Sequence, residues 1–321
     1  MRKWITGGCS LVLLGCVGGS VANSAPQGSW GTRADVLIGR AMAADSAAGK
    51  TSKNPLDIGL LAAAIGQRQG FESANADHYL DRLLAVQLAN GGFGLPYSFD
   101  SWGDGRVTPV GAAHTISMYQ AGLALLPAYE AGVPGVEVAL DRMVTKLASM
   151  PFVTVKPGKC MSYSDHPYDY TYGYCANNVS AAAADLLFRA HQAGFGVDPS
   201  WSVAAFTQYE VAAANRTWRN WTYSNASSRA QDPAHMAVTI RALMSVAPGI
   251  ADNFVKYNLQ VTGSDWRWPY AHAWLTPANC ALGEQWKDSF DAWTETLSIT
   301  SDFELLSEAA YAASEAAHAC D

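Results

Sequence analysis

The chain of 321 residues carries 21 Lys and Arg against 28 Asp and Glu, a net charge of −7. That balance excludes nucleic acid or an anionic membrane surface as the expected partner. Hydrophobic residues make up 49% of the chain, enough for a large core, and one domain over residues 26–321 is the expected organisation.

Residues 1–25 read as an export signal, because Arg2 and Lys3 precede an apolar run from Leu11 to Val21 that is too short to span a membrane. Cleavage is expected after Ala22 or Ala25, and loss of Arg2 and Lys3 brings the charge to −9. Leu13-Leu14-Gly15-Cys16 also resembles a bacterial lipobox, in which the signal ends at Gly15 and Cys16 carries a lipid anchor. Both readings place the protein outside the cytoplasm, secreted, periplasmic or held at the cell surface.

Helical patterning follows over about 31–48, 55–69, 74–90, 109–130, 134–150, 177–193, 199–214, 233–247, 249–261, 286–298 and 302–318. Asn54-Pro55, Thr108-Pro109, Asn177-Asn178 and Asp232-Pro233 read as capped starts, in which a side-chain oxygen accepts first-turn N–H groups and proline occupies a position that needs none. Ser301-Asp302-Phe303-Glu304 reads as a capping box. Short strands are expected at 159–163 and 221–224. The long connections 91–107, 151–176, 215–231 and 262–285 are rich in aromatic residues, which favours ordered loops over disorder.

Paired helices joined alternately by short and long loops predict an all-α ring of hairpins. Gln87-Leu88-Ala89-Asn90-Gly91-Gly92-Phe93-Gly94, followed by a loop and a helix from Pro109, resembles the turn of the α/α toroids. That superfamily includes prenyltransferases, squalene-type cyclases, polysaccharide lyases and many glycoside hydrolases. The resemblance implies a complete or incomplete six-hairpin barrel with a site among the rim loops.

Within those loops, Tyr163 to Tyr174 combines tyrosines with Asp165 and Asp169, a composition suited to sugar faces and to acid–base work. His114 and His235 lie near the starts of two helices, where an imidazole could exchange protons. In a lyase, Tyr163 and His235 would exchange the proton and Arg267 would neutralise a uronate; in a hydrolase, Asp165 and Asp232 would be acid and base. Tyr97, Trp102, Tyr170, Trp221, Trp266 and Trp268 are candidate substrate platforms. A helix cap or a packed loop would account for several of these residues equally well, Asp232 above all.

Four cysteines follow the signal and allow three pairings. In an exported chain the local pairs Cys160 with Cys175 and Cys280 with Cys320 are the economical ones. No spacing marks zinc or a calcium loop, and no cofactor is implied. Asn178, Asn215, Asn220 and Asn225 head glycosylation sequons, which are used only in a eukaryotic secretory pathway.

The leading expectation is thus an exported carbohydrate-active lyase or glycoside hydrolase. A second resemblance competes: His114, Met118, Tyr119, Cys160, Cys175 and Asn177 resemble a local pattern of linalool dehydratase isomerase, with a longer cysteine spacing in this chain. It implies a terpenoid dehydratase or isomerase and requires free thiols. A non-catalytic glycan-binding or cell-surface protein is the third reading.

Overall fold

A computed structural model describes residues 28–47, 52–101, 103–154, 159–171, 176–197 and 233–321. It is mostly helical. The helices are α1 (Trp30–Ala47), α2 (Pro55–Gln69), α3 (Ala74–Ala85), α4 (Thr115–Glu130), α5 (Val136–Ala148), the one-turn α6 (Pro167–Thr171) and α7 (Asn177–Gln192). After residue 232 come α8 (Pro233–Val246), α9 (Pro248–Asn258), α10 (Arg267–Leu275), the short α11 (Cys280–Gly283), α12 (Lys287–Glu295) and α13 (Phe303–Cys320). Strands β1 (Phe152–Thr154) and β2 (Lys159–Met161) form an antiparallel ribbon with Val153 opposite Cys160.

Two kinds of helix alternate. In α2 every residue from Asp57 to Gly66 is buried, and α4 and α7 are covered almost as fully, because runs such as Ala62-Ala63-Ala64 and Ala181 to Ala184 let neighbours approach on several sides. By contrast α5 buries Val136, Ala139, Leu140, Met143, Val144 and Leu147, a single stripe at helical spacing, and turns its other face outward. Central helices touch in a closed succession: α2 packs on α4, α4 on α7, α7 on α8, α8 on α10, α10 on α13, and α13 on α2. The others lie against them, α1 on α13, α3 on α2, α5 on α4, α9 on α8 and α12 on α10.

The close approach of α2 and α4 depends on Gly59, where a Cβ would stand 2.7 Å from the backbone oxygen of Gln120. Alanine there gains up to about 1 kcal/mol of helix propensity. Overpacking against an immovable carbonyl costs about 1–3 kcal/mol, so the clash dominates. Gly59→Ala is expected to lower the urea midpoint at an unchanged m-value; a raised midpoint would contradict this packing.

Local chemistry sets several ends as expected. Asn54 accepts the Leu56 N–H at 3.3 Å and Pro55 opens α2. The Gln87 amide holds the glycine turn, donating to the carbonyls of Gly91 at 2.9 Å and Ala139 at 2.8 Å, while Gly91 takes a φ of +87°. The Cys280–Cys320 disulfide forms, with a sequence separation of 40, and a loop of that length contributes about 4 kcal/mol in the chain-entropy model. No described helix is long and apolar enough to cross a membrane.

Other expectations are corrected. Helix α4 begins at Thr115 and not at Pro109, because the backbone of Thr108 pairs with Phe99 and its hydroxyl donates to Asp169. The cap is His114, whose Nδ1 accepts the Ser117 N–H at 3.2 Å. Helix α7 starts after Ala176, which offers no capping side chain. The capping box at Ser301 is absent: Asp302 occupies the cap and accepts the Ser298 N–H instead. Helix α3 ends at Ala85, and the connection 262–285 contains α10. Pro269 and its flanking aromatic residues obscured that helix, although proline is tolerated in a first turn. The strand at 159–163 is shorter and pairs with the unforeseen β1. The signal at 1–25, the helix at 199–214 and the strand at 221–224 lie outside the described residues.

Candidate functional site

The structure brings His114, Tyr163 and Asp165 together at the start of α4. The rings of His114 and Tyr163 stack with centroids 6.0 Å apart, and Phe99 meets His114 edge-on at 4.9 Å. Backbone bonds lock the same segments: Thr115 donates to the Tyr163 carbonyl at 2.8 Å and Asp165 to the Ala113 carbonyl at 3.1 Å. Burial lowers the His114 pKa to about 3, so its ring is neutral near pH 7.

Asp165 accepts the Ala113 N–H at 2.9 Å and pairs with Lys146 at 2.7 Å. Asp169 is 1% exposed and takes hydroxyl bonds from Ser101 and Thr108, each at 2.8 Å, and from Ser164. These are the bonds of an anchored loop. Tyr170 packs on Val153 and Cys160, whereas Tyr97 is exposed.

A second group sits on α10. Trp266 stacks on Trp293 at 5.6 Å, and Arg267 lies 4.9 Å above the Trp266 ring while pairing with Asp265 at 2.7 Å. Trp268 tilts against His272 at 5.9 Å. His235 occupies the first turn of α8, where its carbonyl accepts the Thr239 hydroxyl. Cys160 is disulfide-bonded. Trp102, Cys175, Trp221 and Asp232 lie outside the described residues.

The chemistry that the sequence did not single out lies among the central helices. A cavity of about 320 Å³ is lined from all six: Gln67 of α2, Tyr119 of α4, Asp185 and Arg189 of α7, Arg241 and Ser245 of α8, Trp274 of α10, Tyr311 and Glu315 of α13. Most of these residues belong to the C-terminal halves of their helices, away from the helix starts on which His114 and His235 sit. Arg241 pairs with Glu315, and the Gln67 amide donates to the same carboxylate. Arg189 stands 3.7 Å from Asp185 Oδ2.

Burial raises the Asp185 pKa, and the charge of Arg189 with the nearby hydroxyls of Ser245 and Tyr119 offsets part of that rise. Both tyrosines are pushed well above their usual range, Tyr119 by burial and then by Asp185, Tyr311 by burial and then by Glu315. They therefore stay protonated and cannot serve as ready bases. Asp185 Oδ1, Gln67 Oε1 and Trp274 Nε1 have no hydrogen-bond partner among the described residues.

The face of α13 that bears Tyr311 and Glu315 also carries Glu304 and Glu308 at successive helical turns. Burial and the charges of Glu304 and Asp57 raise the Glu308 pKa well above the carboxylate range; burial and Glu304 do the same to Asp57, in the first turn of α2. One signal was available in the sequence. Ionisable residues at helical spacing on alanine-rich helices, Asp185 with Arg189 and Glu308 with Glu315, are costly to bury unless they do something there. No protein-family model, curated protein or solved structure matches this chain.

Proposed function

We propose that the chain is an α/α toroid acting outside the cytoplasm, which binds a carbohydrate in its central cavity and hydrolyses it. Asp185 would be the general acid and Glu315 the opposing carboxylate. The closed succession of central-helix contacts supports the toroid, and the Cys280–Cys320 disulfide favours an oxidising compartment.

The observation that carries the activity is one cavity holding two carboxyl groups of different environment beside Trp274 and two tyrosines. A carboxyl whose pKa burial raises can carry a proton to a leaving-group oxygen, while the second carboxyl acts as base or nucleophile. A lyase is less well supported, because Tyr119 and Tyr311 hold their protons. The terpenoid reading loses the free thiol of Cys160, and the charged lining does not suit a hydrocarbon. On this reading the His114 and Tyr163 loops and the Trp266–Trp268 group frame the ring from the helix starts.

The test is a panel of neutral and acidic oligosaccharides and aryl glycosides, followed for new reducing ends and for ultraviolet absorbance of unsaturated sugars. Release of reducing ends without that absorbance supports hydrolysis. Unsaturated products would replace it with a lyase, and no turnover on any member would remove the enzymatic reading.

A further inference from the structure

We infer that the central cavity selects a short, neutral polyhydroxylated ligand, an uncharged hexose or a glycoside of one, and rejects uronates; this rests on the carbohydrate reading above. The cavity lining holds unmet hydrogen bonds. Asp185 and Trp274 are each 2% exposed, yet Asp185 Oδ1 and Trp274 Nε1 lack partners among the described residues, as does Gln67 Oε1. A buried polar atom without a partner is disfavoured, so three lining one cavity mark where a ligand's polar atoms belong.

Their types define the ligand. Trp274 Nε1 is a donor only and Gln67 Oε1 an acceptor only, while a carboxyl oxygen accepts or, when protonated, donates. Hydroxyl groups do both, and vicinal hydroxyls on a ring can answer a donor and two acceptors at once.

Charge excludes the acidic alternative. Both cavity arginines are already matched, Arg241 to Glu315 and Arg189 to Asp185, so an incoming carboxylate would meet two acids before it met an unmatched cation. A desolvated charge in that position is strongly disfavoured. Size limits the length: about 320 Å³ lies at the lower end of small-molecule pockets, which suits a short saccharide and not an internal stretch of polymer.

Isothermal titration and thermal shift on the full chain, with glucose, galactose, mannose, maltose and cellobiose against glucuronate and galacturonate, would decide the matter. At least one neutral sugar is expected to bind at least tenfold more tightly than either uronate. Trp274→Phe, which removes the N–H and keeps an aromatic ring, is expected to weaken that binding about 3- to 10-fold, the loss of one neutral hydrogen bond. Gln67→Met, at a partly exposed position, removes the Oε1 acceptor together with the amide's bond to Glu315, should weaken binding at least as much, and guards against a folding defect in the tryptophan variant. Equal or tighter uronate binding overturns the inference, as does the absence of any response to the neutral sugars. Binding without cleavage would end the hydrolase reading and leave this one standing; cleavage of a polyuronate would do the reverse.

Discussion

Replacing His114 with asparagine should make the folded protein less sensitive to acid. In the native state the ring is buried and its pKa falls to about 3, whereas in the unfolded chain it titrates near 6.5. Between those values the unfolded state binds the extra proton, so stability conferred at neutral pH is lost as pH falls from 6.5 towards 3. The loss is about 1.4 kcal/mol per pH unit, or about 3 kcal/mol by pH 4.5.

Asn is among the best cap residues, so the variant retains a cap for α4 while lacking the titrating group. It loses the ring packed between Phe99 and Tyr163, and a drop of about 1–3 kcal/mol at pH 7 is expected from that alone. The informative quantity is the change between pH 7 and 4.5, measured by urea unfolding, which should be about 2–3 kcal/mol smaller in the variant. Asp57, Asp185 and Glu308 act in the opposite sense. Their raised native pKa values confer stability that is complete below the unfolded carboxylate range and is lost as pH rises through the native values. They are present in both proteins and cancel in the comparison. An unchanged acid limb would show that His114 is not buried neutral.

The second large effect concerns the cavity carboxyls. Asp185→Asn and Glu315→Gln should each lower kcat about 100- to 10,000-fold on whatever glycoside the wild type cleaves, the range found when a positioned acid or base is removed. Both should also lose stability. Asp185→Asn leaves Arg189 without the carboxylate it faces, while burial disfavours the wild-type charge at 185, so a cost of about 1–3 kcal/mol is expected. Glu315→Gln leaves Arg241 without its carboxylate; with side chains 18% and 16% exposed, the pair is shielded enough for a cost of about 1–3 kcal/mol. Wild-type activity should fall as pH rises through the elevated Asp185 pKa, and Asp185→Asn should lack that limb. More than a tenth of wild-type kcat in Asp185→Asn would remove the aspartate from the acid role.

How far the sequence could be read depended on the range of the interaction. Asn54 and Pro55 determine the start of α2 within three residues, and the structure agrees. Thr108-Pro109 offered the same chemistry and failed, because a long-range bond from Thr108 to Asp169 and a backbone pairing with Phe99 competed for the same residue. His114 then took the cap. The tyrosine and aspartate loop was visible as a concentration of polar and aromatic groups, but composition does not distinguish an anchor from a site. Its bonds to Ala113, Lys146, Ser101 and Thr108 could not be read along the chain.

The sequence by itself determined the helical class and most helix positions among the described residues. Each follows from local propensity, capping or periodicity. Tertiary structure alone decided where polar groups converge. Gln67 and Glu315 meet across a sequence separation of 248, and Asp185, Arg241 and Trp274 join them from three further helices. Helical spacing shows which face of a helix is unusual; only the packing of six helices around one space shows that those faces look at each other.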